Sequence, residues 1–326
     1  MRADIARAAA FLRAGGLVAL PTETVYGLGA DARNINAVKR IFAAKQRPAD
    51  HPLIVHIAAA AELTAWCVDV PASAWKLAAV FWPGPLTMIL RRAAHVLDVV
   101  TGGQDTVGLR VPAHPLALEL LRVFGGAIAA PSANRFGHVS PTTAAHVRAE
   151  MGSDVDMILD GGACTVGIES TIVDLTTTQP RILRPGGVNR AQIEAVLGVA
   201  LPEHATQTSA APRVSGSLAS HYAPHTPVRW VERAQLDASV HSTSLHNTVG
   251  VIALATMATQ NSALRNSQRV QWRVLPADPG EYAQQLYAQL RALDELQLDL
   301  ILLEVPPHTA PWEAVRDRLR RAAGLG

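Results

Sequence analysis

Short apolar runs alternating with helical patterns constrain this chain more than any other feature. Residues 17–20, 53–57, 86–90, 107–111, 127–130, 157–159 and 171–173 each have the length and side-chain content of a strand. Helical periodicity fills several of the gaps. Ile5, Ala9 and Leu12 share one face of an opening helix that Gly15 and Gly16 stop. Val38, Ile41 and Phe42 turn inward from a second helix, with Asn36 as its expected cap, and a third covers 116–123. Glycine pairs at 102–103, 125–126, 161–162 and 186–187 mark turns. Strands interleaved with helices in this way predict an α/β domain.

The pattern breaks after Leu197. Residues 202–220 are rich in Ala, Ser, Thr and Pro without periodicity and read as a linker, yet its end, His221-Tyr222-Ala223-Pro224-His225, is not that of a passive spacer. A second α/β unit follows, with strands at Val249–Leu254, Val270–Leu275 and 298–305. One helical stripe carries Tyr282, Leu286, Leu290, Leu293 and Leu296, and another Trp312, Val315 and Leu319. The expected division is 1–200, a linker at 201–227 and 228–326.

Composition removes whole classes of function. With 326 residues, 49% hydrophobic and 17% charged, the chain can bury large cores and is not a disordered protein. A net charge of +2 argues against a polybasic nucleic-acid tail, though not against a local basic groove. Cys67 and Cys164 are too few for a disulfide scaffold or a Cys-rich zinc site, which suits a reducing compartment. No run reaches the ~18 apolar residues of a membrane span. The first residues lack a signal peptide's basic-then-apolar layout, so a cytoplasmic location is expected.

Polar residues at period two inside the apolar runs carry the functional signal. Val107, Leu109 and Val111 take one face of their strand, and Thr106, Gly108 and Arg110 the other. A solvated face would read the same way. Neighbouring segments repeat the pattern, however: His56 shares a face with Ile54, Ser170 with Ile172, and Ala130, Ser132 and Asn134 lie two apart around Pro131. Short hydroxyls, an amide and an arginine gathered on one sheet face suit a small zwitterion or phosphates. Before the second strand, Pro48 and Pro52 stiffen a loop holding Lys45, Arg47 and His51. Lys45 alone is an ordinary cation at a helix C-terminus. The three together make a polyphosphate clamp, to which Arg184 adds a cation.

Other chemistries lack their residues. There is no Walker loop and no G-x-G-x-x-G opening a helix after a strand. The spacings His51/His56 and His221/His225 are poor for a metal, and no G-x-S-x-G elbow is present.

The cation and hydroxyl positions belong to a longer ordered series. It runs through Pro21-Thr22-Glu23-Thr24-Val25-Tyr26-Gly27-Leu28-Gly29, Lys45-x-Arg47-Pro48, Pro52 to His56 and Trp82-Pro83-Gly84-Pro85-Leu86-Thr87. It continues through Arg110-Val111-Pro112, Pro131-Ser132-Ala133-Asn134, Ser140-Pro141-Thr142, Glu169-Ser170-Thr171, Leu183-Arg184-Pro185-Gly186 and His221-Tyr222-Ala223-Pro224. In these segments the chain resembles the threonylcarbamoyl-AMP synthase family, in its long form with a YrdC-like N-terminal domain.

The resemblance implies an α/β fold: a YrdC-like twisted mixed sheet with a concave cationic face, plus a smaller Rossmann-like α/β C-terminal domain. It implies a nucleotidyltransferase that makes threonylcarbamoyl-AMP and pyrophosphate from L-threonine, bicarbonate or CO2, and ATP. The product feeds the threonylcarbamoyl-transfer machinery of tRNA. Thr24, His56, Arg110, Ala130 and Ser170 would hold threonine, with Arg110 on its carboxylate. Arg47, His51, Thr106, Ser132, Asn134, Ser140, Arg184 and Tyr222 would hold ATP, with Lys45 and Arg47 as the catalytic cations. Mg2+ would be held by the phosphates rather than by a protein site, and Tyr222 would fold over the nucleotide as part of a lid. A rival from another class is a double-stranded RNA-binding module that uses the same cationic groove without catalysis.

Overall fold

The computed structural model describes residues 2–202, 211–216, 221–255 and 267–325. The chain forms two compact units. The first comprises Met1–Phe136, Pro141–Thr165 and Glu169–Ser217, and the second Gly137–Ser140, Val166–Ile168 and Leu218–Gly326.

The first unit is built on a nine-stranded mixed sheet among the described residues. Its strands are β1 Val18–Leu20, β2 Gly27–Asp31, β3 Ile54–His56, β4 Leu86–Arg91, β5 Thr106–Arg110, β6 Ile128–Ala129, β7 Met157–Ile158, β8 Thr171–Asp174 and β9 Arg181–Arg184. They lie in the order β7-β1-β2-β6-β3-β5-β4-β8-β9. β1/β7, β3/β5 and β4/β8 are parallel, and the remaining neighbours antiparallel. Alternation in β5 does what its sequence requires: Val107 and Leu109 enter the main core beside Val55 and Met88. A smaller core joins Ile5, Ala8, Ala9 and Leu12 of helix α1 (Arg2–Arg13) to Leu120 and Leu121 of the helix Pro115–Phe124.

Helix α2 (Ile35–Lys45) corrects the expected cap. Asn34, not Asn36, is the extended residue before the helix, and its side chain accepts from the backbone N–H of Asn36 at 3.0 Å and Ala37 at 3.2 Å. β2 and β9 carry no strand signal in the sequence. β2 reads Gly-Leu-Gly-Ala-Asp, without alternation, and β9 begins and ends on arginine. Both are strands because their neighbours supply hydrogen-bond partners.

The second unit holds a four-stranded, all-parallel sheet among the described residues: β10 Val228–Val231, β11 Val249–Leu254, β12 Val270–Leu275 and β13 Leu300–Glu304, ordered β10-β13-β11-β12. β11 is buried at every position, as a central parallel strand should be. Asp278 caps the crossover helix Pro279–Asp294, which buries Tyr282, Leu286, Leu290 and Leu293. Leu296 lies beyond the end of this helix and is 47% exposed, so it leaves the stripe expected of it.

Candidate active site

The first unit brings two groups of polar side chains to one region of its sheet. Parallel pairing of β3 with β5 sets His56 level with Arg110. Both are buried. Burial, and then the adjacent Arg110 charge, push the His56 imidazole down to about 3, so the ring is neutral. Its Nδ1 is buried without a hydrogen-bond partner among the described residues. Arg110 Nε donates to Gly84 O at 3.2 Å, and its NH2 stands 2.7 Å from Glu23 Oε1. Glu23 Oε2 accepts from Ala113 N at 3.0 Å. Beside Glu23, the buried hydroxyls of Thr22 and Thr24 share a 2.8 Å hydrogen bond.

The second group is a pair of buried guanidiniums converging on one serine. Arg47 NH2 donates to Ser215 Oγ at 3.1 Å and to Pro52 O at 2.9 Å. Arg184 NH1 donates to Ser215 O at 2.9 Å, and its NH2 donates to Ser170 O at 2.8 Å and to Ser170 Oγ at 3.2 Å. Ser170 Oγ also shares a 2.8 Å bond with Thr87 Oγ1. The Arg47 guanidinium lies 5.7 Å from the Phe136 ring centre, and His51 meets the same ring edge-on at 5.2 Å. Burial, and then the Arg47 charge, lower the His51 pKa below the usual imidazole value.

A pocket opens beside this pair, lined by Ile54, Thr106, Gly108, Ile89 and Ile172 of the sheet and by Arg213, Val214 and Ser215. Val214 is buried against Ile89 and Ile172. Arg213 donates to Gly102 O at 2.8 Å, and its backbone N–H donates to Gln104 Oε1 at 2.6 Å. Residues 211–216 of the expected linker thus lie on the first unit's sheet, and its end, 221–227, belongs to the second unit; 203–210 and 217–220 fall outside the described residues.

Lys45, at the end of α2, is buried and donates through Nζ to the carbonyls of Ser132 and Asn134. Burial and the neighbouring Arg47 charge set its pKa well below the usual lysine value. Ser132 bridges Gly27, and Ala130 N donates to Ile54 O at 2.9 Å, so this Pro131-broken segment still tracks the sheet. Ser140 and Tyr222 belong to the second unit. Ser140 is buried, and its carbonyl accepts from Arg291 Nε at 3.5 Å. The buried Tyr222 ring stacks on Tyr287 at 5.8 Å, meets His221 edge-on at 4.1 Å and has the Arg318 guanidinium 5.2 Å from its centre.

Residue-level reading of the sequence passed over Glu23, Gly84, Thr87 and Ser215. Glu23 sits in a quoted segment, but its partner Arg110 lies on a distant strand, and no period-two face joins them.

The N-terminal part of the chain matches the family profile described as Telomere recombination (Sua5, YciO, YrdC) over residues 10–186. The remainder matches the profile described as Threonylcarbamoyl-AMP synthase, C-terminal domain, over 188–324. Fold and site together define a two-domain protein of the Sua5/YrdC class. Threonylcarbamoyl-AMP synthase of Pyrococcus abyssi is 42% identical over 329 residues, covering 97% of this chain and 93% of the relative. That of Bacillus subtilis is 40% identical over 323 residues, covering 98% and 93%. The crystal structure of P. abyssi Sua5 complexed with L-threonine matches with a TM-score of 0.88 at 40% identity, covering 100% of this chain and 95% of that one. The chain belongs to the threonylcarbamoyl-AMP synthase family, in its two-domain Sua5 form.

Proposed function

We propose that this protein condenses L-threonine, bicarbonate or CO2, and ATP into threonylcarbamoyl-AMP and pyrophosphate. It acts as a cytoplasmic nucleotidyltransferase whose product passes to the tRNA threonylcarbamoyl-transfer machinery. The observation that carries the reading is the convergence of the buried Arg47 and Arg184 on Ser215, beside a strand that begins at Thr106 and ends at Arg110. Two buried guanidiniums drawn to one serine fit a polyphosphate.

In this assignment Arg110 takes the threonine carboxylate, with Thr24, His56, Ala130 and Ser170 around the amino acid. Arg47 and Arg184 take the phosphates, His51, Thr106, Ser132 and Asn134 complete the nucleotide's surroundings, and Lys45 acts through the Ser132–Asn134 loop that it pins. Ser140 and Tyr222 are assigned to the nucleotide by resemblance alone. Residues 1–200 form the catalytic domain, 201–227 its linker and lid, and 228–326 the C-terminal domain.

The reaction needs no protein nucleophile. The threonine amine captures CO2 as a carbamate, and a carbamate oxygen attacks the α-phosphorus. The bond to the leaving pyrophosphate breaks with its electron pair on the departing oxygen. The protein's part is to position the carbamate in line and to neutralise phosphate charge with Arg47 and Arg184. A cover that excludes water protects the labile carbamate. Among the described residues no group of three or more His, Cys, Asp and Glu side chains could hold a metal. By resemblance, Mg2+ would accompany the nucleotide, held mainly by its own phosphates.

The test is an assay with ATP, L-threonine and bicarbonate that follows pyrophosphate and threonylcarbamoyl-AMP. Pyrophosphate release should need all three. Release of phosphate instead, or turnover without threonine, would overturn the proposal. Salt-sensitive binding of double-stranded RNA without turnover would favour the RNA-binding rival.

A further inference from the structure

The Arg110–Glu23 pair has a consequence for which amino-acid derivatives the site accepts. Both side chains are buried, at 5% and 8% exposure, and their charged ends are 2.7 Å apart. Glu23 is anchored through Oε2 to Ala113 N, and Arg110 through Nε to Gly84 O. Among the described residues Arg110 NH1 has no partner. His56, facing Arg110 across the strand pair, is uncharged, and burial pushes the nearby Cys164 thiol up to about 12, so it is protonated. The Glu23 carboxylate therefore offsets the guanidinium charge beside it.

We propose that Glu23 is the specificity-determining residue of the amino-acid pocket: by offsetting Arg110 it lets the site take a zwitterion and reject a hydroxy acid lacking the amine. This rests on the reading that Arg110 faces the threonine carboxylate. A carboxylate ligand that brings no ammonium carries an uncompensated charge into a buried site, and desolvation makes that costly. An α-amino acid brings both signs, so Arg110 NH1 can receive its carboxylate while the Glu23 charge balances its ammonium. Without Glu23 the Arg110 charge would not be offset and would favour simple anions.

The experiment measures, by titration calorimetry on the full chain, the affinities for L-threonine and for 3-hydroxybutyrate, which keeps the carboxylate and hydroxyl but has no amine. The wild type should prefer threonine. Glu23→Gln keeps the side chain's length and an acceptor for Ala113 N but removes the charge. It should shrink the preference by about tenfold or more, with the KM for ATP unchanged. A purely structural role would weaken both ligands together and leave the ratio intact, so an unchanged ratio in folded Glu23→Gln overturns the proposal. If that variant does not fold, Glu23→Asp decides. A ratio within about twofold of wild type supports the charge role, and a fall of about tenfold overturns it. Arg110→Ala that still binds threonine normally would instead strike the reading of Arg110 as the carboxylate site, a different result from any change in ratio.

Discussion

Arg110 and His56 face each other across a parallel strand pair, and the neighbours that bury them set their chemistry. Arg110→Ala removes the cation assigned to the threonine carboxylate and leaves Glu23 unpaired. The expected cost in kcat/KM for threonine is roughly 2–5 kcal/mol, with a much smaller change for ATP. Steady-state kinetics with each substrate varied in turn checks this, and equal losses would count against the assignment. His56 makes a separate claim on stability. Unfolded, the ring takes a proton near its ordinary value of 6.5; folded, it refuses one until about pH 3. In that window the unfolded state binds more protons, so stability falls as pH drops from 6.5 and is insensitive to this group above it. His56→Gln should flatten the dependence of Tm on pH below 6.5. Parallel curves for variant and wild type would mean that His56 ionises in the folded protein.

At the scale of strands and segments, Gly108 on β5 keeps the pocket open. A Cβ there would stand 3.1 Å from Ile89 Cδ1 and 3.5 Å from Thr87 Cγ2. Gly108→Val should therefore cost roughly 1–3 kcal/mol of stability through overpacking and raise the KM for ATP. A folded variant with unchanged ATP kinetics would mean that nucleotide use does not depend on this face of β5. The segment 211–216 offers a second test, because Ser215 already uses donors of both Arg47 and Arg184. Phosphates on the same guanidiniums must displace it or share with it. Hydrogen exchange across 211–216 should therefore change when ATP is added and stay constant with threonine alone; indifference to both would remove the lid from the mechanism.

What could be read in advance follows the same physics. The β5 alternation and the Lys45–His51 loop were legible because side-chain period and local charge are properties of a short stretch. β2 and β9 were not, since their strand character comes from neighbours distant in sequence. Ser215 was hidden in a polar run without period, and Glu23 gains its role only where β5 brings Arg110 to it.

For the whole molecule, linker residues 211–216 belong with the first unit's core rather than trailing from it. A chain ended after Leu197 loses Val214, whose burial is worth about 1.5–3 kcal/mol, together with Ser215. It should melt below a chain ended after Gly216 and release pyrophosphate less efficiently. Calorimetry and the coupled assay on the two shortened chains check this, and identical behaviour would show that the segment adds nothing.

The second unit draws its pieces from three places along the chain. Arg291 donates to the carbonyls of Val139 and Ser140, and Ala223 N donates to Gly137 O at 2.9 Å. A ribosome adding about 5–20 residues per second needs roughly 8–30 s to travel from Ser140 to Arg291. Throughout that interval a stretch from the middle of the gene waits for partners not yet translated. Folding cannot simply follow the order of synthesis, and a chain released early at a premature stop codon would carry that stretch bare, as a mark for the cell's proteases.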